Sequence, residues 1–351
     1  MNSGVKKKLL TVILILFVLP VFTGVALGYE MSGNRIADIP TVIIDHDNSE
    51  FSRILIDHIN ESDIFNVTYY ASSDEEIERR IFEGNAYVGL IIPEGLYGDL
   101  QSGGESEVAV IYDGSYMIVA AGAKAAMAEI FQTVKAGILK TAPPFEPAYR
   151  ILYNPARNYR NFFLPGLIAA IIQVGIVIIG LERAKEGETG FGRDIVKIFE
   201  TGFVGALSIA LNMAVQCFFF DMPFRGSLLA FSALTLQFAV CMASFGYIFG
   251  KAIPDKVLAT QLACLFVLPA AILGGYTFPL MAMPSFFLKL RMIIPFSYYG
   301  EDLRNLTLKE LDLTHMTSSM LYFLIVLCVE FIVLYAIAAV KSNRERGFGN
   351  A

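Results

Sequence analysis

The chain has 351 residues, of which 55% are hydrophobic and 17% are charged, and its mean hydropathy is +0.56. Apolar runs of about 20 residues recur along it, and each is long enough to cross a ~30 Å hydrocarbon core as a helix. This composition excludes a soluble protein and predicts a polytopic α-helical membrane protein. The net charge of −6 indicates no partner and gives no support to nucleic-acid binding, because the acidic residues gather in one hydrophilic segment while the short loops are basic.

Three lysines at positions 6–8 precede the first apolar run, which covers residues 9–28. Basic residues concentrate on the cytoplasmic side of a span, so residues 1–28 are predicted to form a cytoplasmic N-terminus and a first span. A cleaved signal peptide is the alternative, because residues 26–28 (Ala-Leu-Gly) have a small-x-small pattern. The apolar core is, however, longer than the ~7–15 residues usual in signal peptides.

Residues 29–159 have the composition of a small folded domain. Strand patterns alternate with amphipathic helical patterns, which indicates an α/β fold. In the second of these helices, Ser72 or Ser73 is the predicted N-cap and Gly84 the predicted end. The predicted elements in chain order are a strand at 41–47, a helix at 48–62, a strand at 65–71, a helix at 72–86, strands in 87–100 and 106–115, and a long helix at about 116–139.

Residues 160–351 are predicted to form the rest of the membrane domain, with five further apolar runs. The clusters of basic residues that flank the runs fall on one side in a six-span topology, with Arg225, beside Asp221 in a short outer loop, as the exception. Both termini are therefore predicted to lie in the cytoplasm and residues 29–159 outside it, with the chain in the plasma (inner) membrane. The five runs are at 162–181, 199–220, 227–249, 257–275 and 320–340.

A loop dense in charge and glycine follows the second run, on the predicted cytoplasmic side. Residues 182–197 read ERAKEGETGFGRDIVK and lead directly into the third span. Such a loop indicates a contact with something outside the bilayer, and an ordinary charged cytoplasmic loop is the alternative.

A second unusual segment, residues 273–306, lies between the fifth and sixth spans. It is apolar enough for lipid, but glycines and prolines interrupt it, so no single helix can run through it. Broken backbone at membrane depth must be buried in protein or line a cavity. We predict a re-entrant pair of short helices on the outer side, with an interfacial amphipathic helix as the alternative. The residues that define this segment are Gly274, Gly275, Phe278, Pro279, Met283, Pro284 and Pro295.

The two segments resemble signatures of the ABC-2 type exporter permeases. The charged loop is similar to the family's REKERGT-like loop, with one residue between the glycine and the threonine. The segment with Gly275, Phe278, Pro279, Met283, Pro284 and Pro295 resembles the family's GxxFPxxxMP…P pattern. The residues that match the loop are Glu182, Arg183, Lys185, Glu186, Gly187, Glu188 and Thr189.

The hydrophilic segment resembles the subgroup of these permeases that carries a large extracytoplasmic domain between the first two spans. The matching stretches are IIDHD with Ser49, GLIIPEG, YDGS, and YNP followed by FFLPG, at residues 43–49, 89–95, 112–115 and 153–166.

The resemblance implies an exporter powered by a separate ATPase. The chain contains no GxxxxGK[ST] phosphate loop and cannot bind ATP in the manner of a P-loop motor. In the family, two permease copies form the pathway, as a homodimer or heterodimer, and two ATPase subunits carry ATP and Mg and contact the charged loop. The resemblance implies outward movement of an amphipathic or lipophilic drug, peptide or lipid, in contact with membrane lipid. This chain would bind no cofactor itself.

Polar residues within the spans are expected to face the bundle or a cavity, because they are costly against lipid. The amides at Gln173, Gln237 and Gln261 are predicted mainly to form interhelical hydrogen bonds. Glu330, at mid-span, is either functional or paired with a neighbouring helix. The candidate pathway residues are Glu330, Asn212 and Gln216.

Neither an enzyme nor a metal site is predicted. Three scattered histidines and the lack of a GxSxG motif give no catalytic residues. Neighbours on a strand, such as Asp45, His46 and Asp47, point to opposite faces, and the four cysteines lie in spans without CxxC spacing.

Two further classes of protein are alternatives to an exporter. A membrane-anchored extracytoplasmic receptor or docking protein would not need six spans. An ion-coupled secondary transporter would show paired broken helices in two inverted halves, whereas the sequence contains one broken segment.

Overall fold

The computed structural model describes residues 3–31, 37–102, 106–139, 153–154, 158–186, 190–278, 280 and 283–348. The chain divides into two compact units, one formed by Met1–Gly33 with Ile151–Ala351 and the other by Asn34–Arg150. The first is a helical bundle and the second a small α/β fold.

The secondary structure follows the predicted order of spans, strands and helices. The elements are α1 (Ser3–Ile13), a π-helical turn (Leu14–Val18), α2 (Leu19–Glu30), β1 (Ile39–Asp45), α3 (Glu50–Asn60), β2 (Phe65–Tyr70), α4 (Asp74–Phe82), β3 (Val88–Ile92), α5 (Leu96–Ser102), β4 (Ala109–Tyr112), α6 (Met117–Leu139), α7 (Tyr159–Ala184), α8 (Phe191–Phe220), α9 (Leu228–Ala252), α10 (Lys256–Val267), α11 (Ala270–Leu273), α12 (Ser285–Leu290), a 3-10 turn (Arg291–Ile293), α13 (Pro295–Leu308), a 3-10 turn (Leu313–Met316) and α14 (Thr317–Phe348).

Six helical stretches among the described residues are long and apolar enough to cross a membrane. The 26 residues of α7 and the 30 of α8 exceed the roughly 20 that a ~30 Å hydrocarbon core requires, so their charged ends extend beyond it. The arrangement is that of the predicted multi-pass membrane protein. The six stretches are Lys6–Glu30, Tyr159–Ala184, Phe191–Phe220, Leu228–Ala252, Lys256–Leu273 and Leu313–Val340.

Helix α9 is the centre of the bundle and packs against α7, α8 and α14. The rings of Phe238 and Tyr299 stack in the core with centroids 4.0 Å apart. Glycines allow α7 and α9 to approach closely: a Cβ on Gly246 would lie 2.1 Å from the Val177 carbonyl oxygen. Small residues at such contacts are the usual basis of helix packing in lipid, where apolar burial gives no driving force.

The first span contains a π-helical turn because of Pro20. Proline has no N–H, so the carbonyl of Leu16, four residues earlier, cannot have its usual helical partner. The hydroxyl of Ser208 in α8 donates a hydrogen bond to that carbonyl. The bond satisfies a backbone group at membrane depth and ties the first span to the third.

The α/β unit contains a four-stranded sheet of order β2-β1-β3-β4. Strand β1 pairs in parallel with β2 and β3, and β4 pairs antiparallel to β3. Ile39 and Ile43 of β1 pack in a core with α3 and α6, while Val42 and Ile44 pack on the other face with Ile77 of α4. This alternation confirms the α/β fold predicted from the strand periodicity.

Local sequence signals in the α/β unit predict the end of α4 correctly and the extent of β3 incorrectly. Gly84, which follows the C-cap residue Glu83 of α4, adopts a φ of +73°, as predicted for a helix stop. Ser73 occupies the N-cap position of α4 without a side-chain capping bond; instead Glu76 Oε2 accepts from the Ser72 N–H at 3.0 Å. The strand pattern over residues 87–100 was too long, since β3 ends before Pro93 and α5 follows.

Candidate functional site

The charged loop predicted over residues 182–197 is largely helical. Helix α7 continues to Ala184 and α8 begins at Phe191, so the connection between them is residues 185–190. The prediction of a loop was wrong at both ends because the two helices extend past the hydrocarbon core. The predicted residues Gly187, Glu188 and Thr189 lie outside the described residues.

Lys185 joins this connection to the end of α9. Its ammonium nitrogen, Nζ, donates to the carbonyl oxygens of Ile253 at 2.5 Å and Pro254 at 3.0 Å. These two residues directly follow α9, so their carbonyls lie near the negative end of the helix dipole. A cation at this position therefore stabilises the end of α9 and fixes it beside the end of α7.

Two ion pairs extend the same arrangement. Glu182 Oε1 lies 2.7 Å from Lys256 Nζ at the start of α10, and Arg183 Nη2 lies 2.5 Å from Glu200 Oε2 in α8. The side chain of Lys256 is 58% exposed, so the pair adds at most about 1 kcal/mol to stability. The pairs matter more for orientation, because they join the end of α7 to two neighbouring helices.

Glu186 connects the start of the first span to this region. Its carboxylate lies 2.9 Å from Lys8 Nζ, and its backbone carbonyl accepts a hydrogen bond of 2.6 Å from Lys197 Nζ in α8. Lys8 and the charged connection therefore lie at one end of the bundle.

Asp194, in the first turn of α8, forms the buried part of this region. It is 3% exposed, accepts a hydrogen bond of 2.6 Å from the Tyr247 hydroxyl and lies 3.2 Å from Lys251 Nζ. A buried carboxylate is tolerated only when it is paired and hydrogen-bonded. We call the end of the bundle that holds Lys8, Lys185, Asp194, Lys251 and Lys256 the basic end.

The segment between α10 and α14 is broken as predicted. Gly274 ends α11 and Gly275 has a φ of +81°. Pro284 directly precedes α12, and Pro295 occupies the first turn of α13, where its missing N–H costs nothing. Phe278 and Met283 lie in the connection between α11 and α12, and Pro279 lies outside the described residues.

Tyr276, in this connection, contacts the start of α7. The N–H of Gly166 donates to the Tyr276 hydroxyl at 2.9 Å, and the hydroxyl donates to the Phe162 carbonyl at 2.9 Å. Sequence reasoning did not single out this tyrosine. The available signal was the pair Pro165-Gly166 within a span, which marks a helix able to accept an outside partner.

Arg304 of α13 completes the contact. Its Nη2 donates to the Tyr276 carbonyl at 2.6 Å, and its guanidinium carbon lies 3.9 Å from the Phe162 ring centroid and 4.1 Å from that of Tyr276. The cation lies against two aromatic faces, which offsets part of its desolvation. The sequence patterns did not single out this arginine either.

The three candidate pathway residues are buried in the bundle. Asn212 Nδ2 donates to the Ser208 carbonyl at 3.0 Å, a bond within α8 and not the interhelical bond expected of amides in spans. Within the described part of the chain, Gln216 Oε1 and Glu330 Oε2 have no hydrogen-bond partner. Glu330 is 8% exposed on α14. Their role in transport stays a prediction.

The other amides within spans divide into two groups. Gln173 is buried and its Nε2 donates to the Val267 carbonyl at 3.3 Å, and Gln237 is partly buried. Gln261 is exposed and does not face the bundle of this chain. It lies five residues into α10, about 7 Å from the charged helix start, and from there its side chain can reach the membrane interface.

Six spans, a charged connection at one end and a broken segment before the last span define the membrane subunit of a transporter. The chain matches the model of the family described as ABC-2 family transporter protein over residues 7–340, and it belongs to that family. This confirms the resemblance found in the two sequence signatures and favours transport over the receptor alternative.

The chain is similar to curated permeases along nearly its whole length. It is 24% identical over 337 residues to "Probable multidrug ABC transporter permease YbhR" of Escherichia coli K12, covering 92% of each chain. It is 28% identical over 182 residues to "Probable multidrug ABC transporter permease YbhS" of the same organism, covering 47% of this chain and 48% of the relative. "ABC transporter G family member 20" of Dictyostelium discoideum is 23% identical over 326 residues, which cover 86% of this chain and 44% of that protein.

The chain is therefore the permease subunit of an ABC exporter, and the family implies a partner ATPase. Its relatives are transport components.

Proposed function

We propose that the permease moves amphipathic or lipophilic compounds outward, a class that includes drugs, peptides and lipids. Support comes from the relatives named as probable multidrug permeases, one of which matches 92% of this chain. In this proposal two permease copies, identical or closely related, form the pathway. Two ATPase subunits bind ATP and Mg and hydrolyse the nucleotide, while this chain contributes no catalytic residue, cofactor or metal.

The proposal places the basic end in the cytoplasm. Its main support is the pairing of Lys8 with Glu186, which brings the N-terminal lysines beside the connection after the second span. Clusters of basic residues favour the cytoplasmic side. The α/β unit, inserted between the first two spans, is then extracytoplasmic, and the broken segment forms a re-entrant helix pair at the outer side.

The proposed ATPase-binding surface is the connection at residues 185–190 with the helix ends beside it. Lys185 holds this connection to the end of α9, and the ion pairs of Glu182, Arg183 and Glu186 hold it to α10, α8 and the first span. A displacement of the connection by the ATPase therefore acts on several helices at once, as a rigid-body movement requires.

Copurification tests this surface with two matched charge reversals. In Glu186→Lys the exposed ion pair with Lys8 becomes a repulsion at the basic end; in Glu301→Lys the 2.7 Å pair with Arg291 is reversed outside it. We expect Glu186→Lys to weaken binding of an ABC ATPase roughly tenfold, about 1.4 kcal/mol, and to lower ATP turnover in liposomes. Glu301→Lys should bind the ATPase as the wild type does.

If Glu186→Lys and Glu301→Lys bind the ATPase equally well, the ATPase binds outside the proposed surface. A wild-type permease that recruits no ABC ATPase would overturn the proposed function itself.

A further inference from the structure

The start of α7 departs from the usual helical hydrogen-bonding partners at two consecutive positions. Pro165 has no N–H to donate to the carbonyl of Asn161. One residue later, the Tyr276 hydroxyl bridges the Gly166 N–H and the Phe162 carbonyl, the two groups that a regular α-helix joins directly. A side chain from the broken segment thus takes part in the backbone hydrogen bonding of the second span.

The ring of Tyr276 fits a slot that only glycine provides. A Cβ on Gly166 would lie 2.0 Å from its Cζ, and one on Gly300 of α13 would lie 2.9 Å from its Cδ2. Tyr276 is 3% exposed, and Arg304 holds its carbonyl at 2.6 Å. Tyr276 therefore has two hydrogen bonds to α7, which is a spanning helix, and two contacts to α13 within the broken segment itself.

Helix α7 also carries the charged connection at its other end. Its 26 residues span about 39 Å, so one helix reaches from the basic end to the Tyr276 contact. Lys185 and Glu182 fix it at the first end, and the Tyr276 hydroxyl fixes it at the second.

We propose that Tyr276 is a positioning residue for transport, whose hydroxyl joins α7 to the broken segment so that a displacement of α7 also moves that segment. The inference rests on the proposed function, in which the ATPase displaces the basic end. Hydrogen-bonded contacts between packed elements carry coupling of this kind, and the hydroxyl bridge supplies such a contact.

The first experiment tests the hydrogen-bonded contact between Tyr276 and α7 in the permease alone. Tyr276→Phe retains the ring in its slot and removes the hydroxyl. The control is Tyr298→Phe, since the Tyr298 hydroxyl donates to the Met292 carbonyl at 3.3 Å, within the same segment. We expect faster hydrogen exchange in α11 and α13 for Tyr276→Phe in lipid nanodiscs, and no change for the control. If Tyr276→Phe exchanges hydrogen at the wild-type rate, the hydroxyl does not join α7 to the broken segment. This outcome does not depend on whether an ATPase binds.

The second experiment examines coupling in the assembled transporter with a lipophilic fluorescent dye in liposomes. We expect Tyr276→Phe to keep ATP turnover and ATPase binding while transport per ATP hydrolysed falls roughly three- to thirtyfold, the range for mutations in a coupling network. Tyr298→Phe should transport as the wild type does. An unchanged ratio, or equal losses of ATP turnover and transport, would overturn the positioning role, whereas absence of ATPase binding by the wild type would refute the proposed function alone.

Discussion

At the scale of single residues, the Asp194 carboxylate shows how the bundle accommodates charge. Its two partners, the Tyr247 hydroxyl and the Lys251 ammonium, both come from α9, one turn apart. Lys251 is itself mostly buried, with a side chain that is 10% exposed. Removing one member of a buried pair leaves the other charge without compensation, which costs more than the pair contributes.

We therefore expect Lys251→Met to lower the free energy of unfolding by about 3 kcal/mol. The matched control is Lys256→Met, which removes an exposed partner of Glu182 and should cost less than about 1 kcal/mol. Chemical unfolding in detergent measures both. Adding Asp194→Asn to Lys251→Met should recover part of the loss; equal effects of the two lysine variants would contradict a special role for the buried pair.

A second charged residue, Asp312, caps a helical turn and contributes to stability in a way that depends on pH. Asp312 precedes the 3-10 turn at the start of the last span, and its Oδ1 accepts from the Thr314 hydroxyl at 2.6 Å and lies 2.7 Å from His315 Nδ1. These bonds lower the pKa of Asp312 from 3.8 to about 2, and the bond from the Thr314 side chain has the largest effect. Because the pKa of Asp312 is lower in the folded protein than in the unfolded chain, its ionised carboxylate stabilises the fold fully at pH values above the unfolded-state pKa. This stabilisation is lost as the pH falls through the folded-state pKa.

We expect Asp312→Ala to melt at a lower temperature than the wild type at neutral pH. The difference should stay constant down to about pH 5 and shrink as the pH falls from 3.8 towards 2, because the wild-type carboxylate becomes protonated in that window. Melting temperatures of the two proteins at pH 7 and pH 3 measure this. A difference that does not depend on pH would show that the cap does not act through its charge.

At the scale of elements, the contact of α7 with α9 depends on glycine. A Cβ on Gly246 would lie 2.1 Å from the carbonyl oxygen of Val177 in α7. A Cβ on Gly250 would lie 2.6 Å from the carbonyl oxygen of Leu181 in the same helix. Because the obstructing atoms belong to the backbone, a side-chain rotation cannot make room. Both helices then have to separate, and α9 also packs against α8 and α14.

We predict that Gly246→Ala destabilises the permease by about 1–3 kcal/mol through overpacking. The control is Gly192→Ala in the first turn of α8, where a Cβ meets nothing within 4 Å and alanine should stabilise by up to about 1 kcal/mol. Thermal unfolding in detergent distinguishes the opposite signs. A neutral Gly246→Ala would mean that the two helices are less closely packed than these distances indicate.

At the scale of the whole molecule, local sequence patterns specified much of the architecture. The six spans, the α/β unit and the break points at Gly274, Gly275, Pro284 and Pro295 follow from span length, strand periodicity and backbone restriction, each of which acts within a few residues. The main local error, the extent of the charged loop, arose because charge ends an apolar run before it ends a helix.

The sequence by itself determined which segments cross the membrane and where the charges gather, because the bilayer selects for length and polarity in each segment separately. Only the tertiary structure decided the partners of individual groups: Ser208 with Leu16, Lys185 with Ile253, and Tyr276 with Gly166, which are 192, 68 and 110 residues apart. In each pair a backbone group receives a partner from a distant side chain. Such a pairing depends on how the helices pack in lipid, and no local pattern contains that information.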